Sequence, residues 1–146
     1  MKFLLIFDFN RTIFDPEKQK LVARARALLR TLHERGHTLC LVAQAAPSRE
    51  KLIENLGIGQ YFSQIFLVYE KKKKDFEKLI FDFGFLPEKT FVLGDRIQKE
   101  IRVGNLIGCQ TIWIKSGKFR TEIPKNNDEI PNFTVSKLTD ILKIIP

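Results

Sequence analysis

Two apolar runs of this sequence each end in an aspartate, and this pattern constrains the fold more than any other feature. Lys2 to Phe7 is apolar after its first residue and runs into Asp8, and Thr90 to Leu93 runs into Gly94 and Asp95. Such runs are typical of strands buried on both faces of a parallel sheet. The carboxyl ends of parallel strands share one edge, so both aspartates are expected there. Because paired carboxylates repel each other, we also expect a hard metal ion between them.

Strand-like and helix-like segments alternate along the rest of the chain. Apolar runs predict further strands at residues 38–43, 65–68 and 111–114. Helical spacing predicts a helix from Leu21 that ends at Gly36, and a second over residues 50–56 with Ser48 as N-cap. A third is predicted from the lysines at 71–74 to Gly84, and two more over residues 97–106 and from Leu138 onward. Residues 115–131 are polar and are expected to form a loop. The alternation predicts an α/β fold, a doubly wound, Rossmann-like parallel sheet of five strands flanked by helices. We expect one domain over residues 1–146.

The chain is basic, with a formal net charge of +8. A positive charge favours acidic partners, such as phosphorylated molecules or nucleic acid, without choosing between them. Part of the excess comes from residues expected to lie on a solvated helix face, namely Lys18, Lys20, Arg24, Arg26 and Arg30.

Other sequence features narrow the class of protein. The N-terminal apolar run is too short for a secretory signal or a membrane span, so we expect a cytoplasmic protein without a membrane partner. Cys40 and Cys109 lie in apolar segments and are expected to be small core residues rather than a disulfide or metal ligands. No nicotinamide, flavin or zinc signature is present, so we expect none of these cofactors.

Four segments occur in a fixed order along the chain, namely FDFNRTIFD after the first strand, LVAQ at the end of the second, a lysine before a helix, and VLGDRIQKE around the fourth. Their order and residues resemble the haloacid dehalogenase (HAD) superfamily of hydrolases. The resemblance implies a Mg²⁺-dependent phosphatase with Asp8 as nucleophile, which would form an aspartyl-phosphate. It also implies that Asp8, Asp95, Glu100 and the backbone carbonyl of Asn10 bind the metal. Lys71 best matches the family lysine, and Lys72 comes next.

Two positions depart from the family pattern. The family has an acid–base aspartate where this chain has Asn10, and an amide cannot exchange a proton in this way. Loss of acid–base assistance typically slows a reaction by about 10²–10⁴-fold. Ala43 takes the place of a phosphate-binding hydroxyl, and the neighbouring Gln44 is a candidate substitute. Arg11 adds a cation beside the nucleophile that would contact phosphate, and Thr12 is expected to order the same loop.

The sequence leaves several alternatives open. Both intervals in which HAD proteins insert a cap domain are short, which indicates a capless member with an open site for a small or macromolecular phosphate. A catalytically degenerate protein that binds nucleic acid or an acidic partner is the main alternative. A receiver-like domain fits less well, because its acidic pair precedes the phosphorylated residue. The oligomeric state is open, with Phe62, Phe119 and Phe133 as candidate interface residues.

Overall fold

A sheet of six parallel strands forms the centre of the computed structural model, which describes all 146 residues. Numbered in chain order, the strands of the molecule are β1 (Leu4–Phe7), β2 (Phe14–Asp15), β3 (Lys20–Leu21), β4 (Thr38–Gln44), β5 (Gln64–Val68), β6 (Thr90–Gly94), β7 (Gln110–Ile114) and β8 (Phe133–Val135). The strand order in the sheet is β5-β4-β1-β6-β7-β8, and β2 and β3 form a separate antiparallel hairpin.

Helices cover both faces of this sheet. The α-helices are α1 (Ala25–Glu34), α2 (Arg49–Asn55), α3 (Lys73–Asp82) and α4 (Arg102–Ile107), and a π-helical turn, Ile97–Ile101, leads directly into α4. Short 3₁₀ helices occupy Gly59–Tyr61, Pro87–Lys89, Gly117–Phe119, Asn127–Glu129 and Leu138–Lys143. None of these helices is both long and apolar enough to cross a bilayer.

The central strand β1 is fully buried, as its uninterrupted apolar sequence predicts. It pairs in parallel with β4 on one side and with β6 on the other. Leu5 and Phe7 belong to a core that includes the buried leucines of α1, whereas Leu4 and Ile6 belong to a second core beneath α3. This two-sided packing holds the C-terminal ends of β1 and β6 side by side.

The predicted fold class is confirmed, but the predicted count of five strands is wrong. The sixth strand, β8, pairs with β7 and has a single buried residue, Val135. A strand of three residues is too short to show a recognisable alternation of apolar and polar residues in the sequence. The hairpin β2–β3 is absent from the prediction for the same reason, since each of its strands has two residues.

Several smaller predictions can be compared with the structure. The five basic residues from Lys18 to Arg30 are exposed, but only Arg26 and Arg30 lie on a helix, so the predicted helix face is wrong for the other three. Lys20 is in β3, Lys18 is in a turn, and Arg24 is the N-cap residue of α1. Both cysteines are buried and unpaired. Ser48 is the N-cap of α2 but makes no side-chain capping hydrogen bond. The segment predicted as a helix over 97–106 begins as a π turn, and the C-terminal helix is 3₁₀. Phe62 and Phe119 are partly buried, and Phe133 is 37% exposed.

Close approach of α4 to the sheet depends on Gly104. A Cβ atom at this position would lie 2.8 Å from Cγ2 of Thr111 on β7 and 3.0 Å from Cβ of Val92 on β6. Neither contact can be relieved by moving the end of a flexible side chain.

We therefore expect Gly104→Ala to destabilise the protein by about 1–3 kcal/mol through overpacking. Gly59→Ala is the matched control, because no atom lies within 4 Å of the position that its methyl group would take. The free energy of unfolding in urea, followed by fluorescence of the single tryptophan, Trp113, measures both. Equal stabilities of the two variants would contradict this account of the α4 packing.

Candidate active site

Three carboxylates meet at the C-terminal edge of the sheet. Asp8 follows β1 directly, Asp95 follows β6, and Glu100 lies in the π turn before α4. One oxygen from each carboxylate lies within 4.8 Å of the other two. All three residues are buried, with relative exposures of 7%, 2% and 3%. The convergence expected for Asp8 and Asp95 from their strand-end positions is therefore present.

Local packing positions Glu100 in this cluster. Ile97 and Ile101, on either side of it in the π turn, pack against Trp113. The indole N–H of Trp113 donates to the backbone oxygen of Asp95 at 2.9 Å. A Cβ on Gly94 would lie 2.5 Å from Cγ of Glu100, so the absence of a side chain at this position leaves room for the glutamate.

Lys71 supplies a cation to the cluster. It lies just before α3, and its Nζ forms an ion pair with Oδ1 of Asp8 and donates to Oε1 of Glu100 at 3.3 Å. The Lys71 side chain is only 15% exposed, so these ion pairs are little screened by solvent. The ammonium group thereby connects two of the three carboxylates.

One cation does not neutralise three buried carboxylates, and their pKa values diverge as a result. Burial raises the pKa of Asp8, but the charge of Lys71 and hydrogen bonds from Glu100 and Lys71 together bring it below its usual value. Burial and the charge of Asp8 raise the pKa of Asp95 to about 8, and they raise the pKa of Glu100 as well. Burial lowers the pKa of Lys71, yet the charges of Asp8 and Glu100 outweigh that effect and raise it. Asp8 is thus the most acidic of the three carboxyl groups.

The remaining oxygen atoms fit a divalent cation. Oδ2 of Asp95, Oε2 of Glu100 and Oδ1 of Asn10 are buried and have no hydrogen-bond partner. Unpaired buried carboxylate oxygens are costly, and hard cations such as Mg²⁺ and Ca²⁺ prefer oxygen ligands. The donor set of this cluster is therefore suited to a metal ion.

The cluster opens into a cleft of about 620 Å³. Of the residues singled out from sequence, the cleft is lined by Asp8, Asn10, Arg11, Gln44, Lys71, Asp95 and Glu100. No inserted domain covers it, because only β2, β3 and α1 lie between β1 and β4, and only α2, a 3₁₀ turn and β5 lie between β4 and Lys71.

Three residues that the sequence analysis places at candidate site positions do not line the cleft. Ala43 is fully buried within β4. Thr12 is also fully buried, and its hydroxyl has no hydrogen-bond partner. Lys72 is exposed at the N-cap of α3, where its backbone N–H donates to Oδ2 of Asp75 at 2.9 Å. Among the four lysines, Lys71 is the one that lies in the carboxylate cluster.

The cleft also contains residues that the sequence does not indicate as site residues. They are Arg49, Tyr69, Glu70, Arg96, Gln98, Lys99, Arg102, Val103 and Phe119. Arg96 could have been found, because it directly follows the strand-end Asp95. Phe119 lies in the polar segment predicted as loop, and no local pattern indicates that it approaches the site.

Comparison with known proteins agrees with these features. A family model described as HAD-hydrolase-like matches residues 72–141. The chain is 32% identical over 124 residues to a glyceraldehyde 3-phosphate phosphatase of Methanopyrus kandleri, which covers 80% of this chain and 53% of that protein. It is 28% identical over 128 residues to a phosphoserine phosphatase of Thermus thermophilus, covering 83% of this chain and 49% of that protein.

A solved structure extends the comparison to the fold. The crystal structure of a HAD phosphatase from Thermococcus onnurineus matches with a TM-score of 0.83 at 14% identity, covering 99% of this chain and 97% of that one. By contrast, the chain spans about half the length of the curated relatives it matches.

We expect Mg²⁺ to stabilise the protein through the carboxylate cluster. A ligand that binds only the folded state, present at 100 times its Kd, adds about 2.7 kcal/mol to the free energy of unfolding. Asp95→Asn should lose most of this increment while the metal-free protein stays as stable or becomes more so, because the substitution removes a carboxyl group whose charged form is penalised by burial and by Asp8. Thermal unfolding in EDTA and in MgCl₂ measures both effects.

The control for this experiment is Asp140→Asn, which removes a carboxylate that pairs with the exposed Lys143 and belongs neither to the cluster nor to the cleft lining. It should keep the full Mg²⁺ increment. An increment that persists in Asp95→Asn would show that the metal binds elsewhere.

Proposed function

Because this chain belongs to the haloacid dehalogenase superfamily, we propose that it hydrolyses phosphate esters or anhydrides with Asp8 as the nucleophile and Mg²⁺ as the cofactor. The observation that carries the proposal is the buried cluster in which Lys71 holds Asp8 beside Asp95 and Glu100 at the floor of an open cleft. The names of the related phosphatases support a phosphorylated small molecule as substrate.

Asp8 has the properties that a carboxylate nucleophile requires. Its lowered pKa keeps it ionised at neutral pH. In the proposed step, a carboxylate oxygen of Asp8 bonds to phosphorus, the bond from phosphorus to the leaving oxygen breaks, and that oxygen departs with the electron pair. Water then attacks the phosphorus of the aspartyl-phosphate, which releases phosphate and restores Asp8. Lys71 offsets the negative charge that accumulates between Asp8 and the phosphoryl group.

The metal ligands in this proposal are the carboxylates of Asp8, Asp95 and Glu100, with the backbone carbonyl of Asn10. Bound Mg²⁺ would neutralise charge on the phosphoryl oxygens and so reduce the repulsion between the substrate and Asp8. The unpaired buried oxygens of Asp95 and Glu100 support this assignment.

Gln44 is the proposed replacement for the missing hydroxyl contact. The buried methyl group of Ala43 has no polar atom to offer, whereas Gln44 is exposed on the cleft at the end of β4. Its amide nitrogen donates to the backbone oxygen of Tyr69 at 3.5 Å, a long hydrogen bond that a phosphoryl oxygen can readily replace.

Asn10 limits the chemistry that this site performs well. Its amide neither protonates a leaving group nor accepts a proton from water. Substrates whose leaving group departs without a proton, such as aryl phosphates, acyl phosphates and phosphoanhydrides, are therefore favoured. Unassisted attack by water also lengthens the lifetime of the aspartyl-phosphate, so the protein would resemble a receiver domain in its kinetics.

The test compares hydrolysis of p-nitrophenyl phosphate, acetyl phosphate and an alkyl phosphate by wild type, Asp8→Asn and Asn10→Asp, with and without Mg²⁺. We expect Mg²⁺-dependent turnover in wild type and none in Asp8→Asn. Asn10→Asp should raise alkyl phosphate hydrolysis by about 10²-fold or more, because it restores the acid and base.

Asp82→Asn is the control in this experiment, since it removes a surface carboxylate that pairs with Lys78 on α3. It should behave as wild type does. Absence of turnover in both wild type and Asn10→Asp would contradict the proposal and favour a protein that only binds its phosphorylated partner.

A further inference from the structure

Two arginines and a phenylalanine from three different loops meet on the wall of the cleft. Arg11 follows β1, Arg96 follows β6, and Phe119 lies in the 3₁₀ helix after β7. The guanidinium carbon of Arg96 lies 3.8 Å from the centroid of the Phe119 ring, and that of Arg11 lies 5.4 Å from it. All three residues line the cleft. We call them the Arg–Phe–Arg group.

Each guanidinium of this group is held through one nitrogen. Nε of Arg11 donates to Oε1 of Glu17 at 3.1 Å, and Nε of Arg96 donates to Oε2 of Glu122 at 3.0 Å. The other oxygen of Glu122 accepts the backbone N–H of Ile97 at 3.0 Å, which anchors the glutamate. The ring contact and the Nε hydrogen bond together fix the orientation of both planes.

The terminal nitrogens of both arginines are left to other partners. In each side chain, Nε is the nitrogen that hydrogen-bonds to the protein, and the two terminal nitrogens make no such bond. The side chains are 20% and 25% exposed, so they are partly desolvated but reachable from the cleft. A guanidinium that is already oriented loses little entropy when it binds a carboxylate or phosphate through two hydrogen bonds.

We propose that Arg11 and Arg96 bind a second anionic group of the substrate, distinct from the phosphoryl group that Asp8 attacks. The inference rests on the proposed function and adds the class of substrate, namely phosphate compounds that also carry a carboxylate or a further phosphate. The transferred phosphoryl group has its own cation in Lys71, which lies against Asp8. Arg11 and Arg96 are tethered instead to Phe119 and to two glutamates outside the carboxylate cluster.

The test uses aryl phosphates that differ by one carboxylate, because their leaving groups suit a site with Asn10. Phenyl phosphate is compared with 2-, 3- and 4-carboxyphenyl phosphate, and the three isomers place the second anion at different distances from phosphorus. We expect kcat/KM to be about tenfold or more higher for at least one isomer, as hydrogen bonds to charged groups are worth enough to give this ratio.

The preference should depend on the two arginines. In Arg11→Gln, Arg96→Gln and the double variant, the ratio of kcat/KM between the preferred isomer and phenyl phosphate should fall towards one, chiefly through KM. Arg96→Lys keeps the positive charge but cannot form bidentate hydrogen bonds, so it should retain part of the kcat/KM preference. Lys118→Gln is the control, because Lys118 lies 5.2 Å from the same ring but does not line the cleft.

A binding measurement separates failure of this inference from failure of the proposed function. Titration of Mg²⁺-loaded protein with phenylphosphonate and with the carboxyphenylphosphonates needs no turnover. Tighter binding of a carboxylated compound that is lost in the double variant supports the inference even if nothing is hydrolysed. The inference would be overturned if phenylphosphonate and the carboxyphenylphosphonates bind equally well, or if replacing the arginines weakens the binding of all of them equally. Either result would count against it even if phenyl phosphate is a good substrate.

Discussion

The site depends on the ion pairs of Lys71. Its ammonium group lies at a buried edge of the sheet that contains three carboxylates. It pairs with Asp8 and Glu100, and burial leaves little solvent to screen that attraction. Removing one partner of a buried ion pair typically costs about 3–5 kcal/mol, so this arrangement tolerates little change. A single positive charge cannot balance three carboxylates, and the remaining imbalance makes the site receptive to a metal cation.

The rest of the fold serves to hold these groups in register. β1 and β6 are neighbours at the middle of the sheet, so their strand-end aspartates lie side by side. The start of α3 places Lys71 against them, and the π turn before α4 supplies Glu100 over the bare backbone of Gly94. The loops after β1, β6 and β7 form the wall of the cleft through the Arg–Phe–Arg group. In our proposal, reaction chemistry and substrate recognition occupy adjacent parts of one edge.

Local hydrophobicity is sufficient to predict much of this arrangement. Asp8 and Asp95 can be placed because a strand that is buried on both faces has an unmistakable apolar sequence, and parallel strands end at one edge. The resemblance to a known family is needed for Glu100 and for Lys71, and the structure places Lys71 in the cluster. Phe119 cannot be foreseen, because its position depends on tertiary contacts between loops rather than on any periodic pattern. The short strand β8 escapes prediction for a similar reason.

Direct detection of a phosphoryl group on Asp8 tests the central claim most directly. Protein incubated with acetyl phosphate and Mg²⁺ would be quenched in acid and mapped by peptide mass spectrometry. The account predicts one phosphoryl group on the peptide that contains Asp8, which is absent from Asp8→Asn and shorter-lived in Asn10→Asp. Turnover of acetyl phosphate without any such adduct, or with the adduct on another residue, would contradict the assignment of Asp8 as the nucleophile.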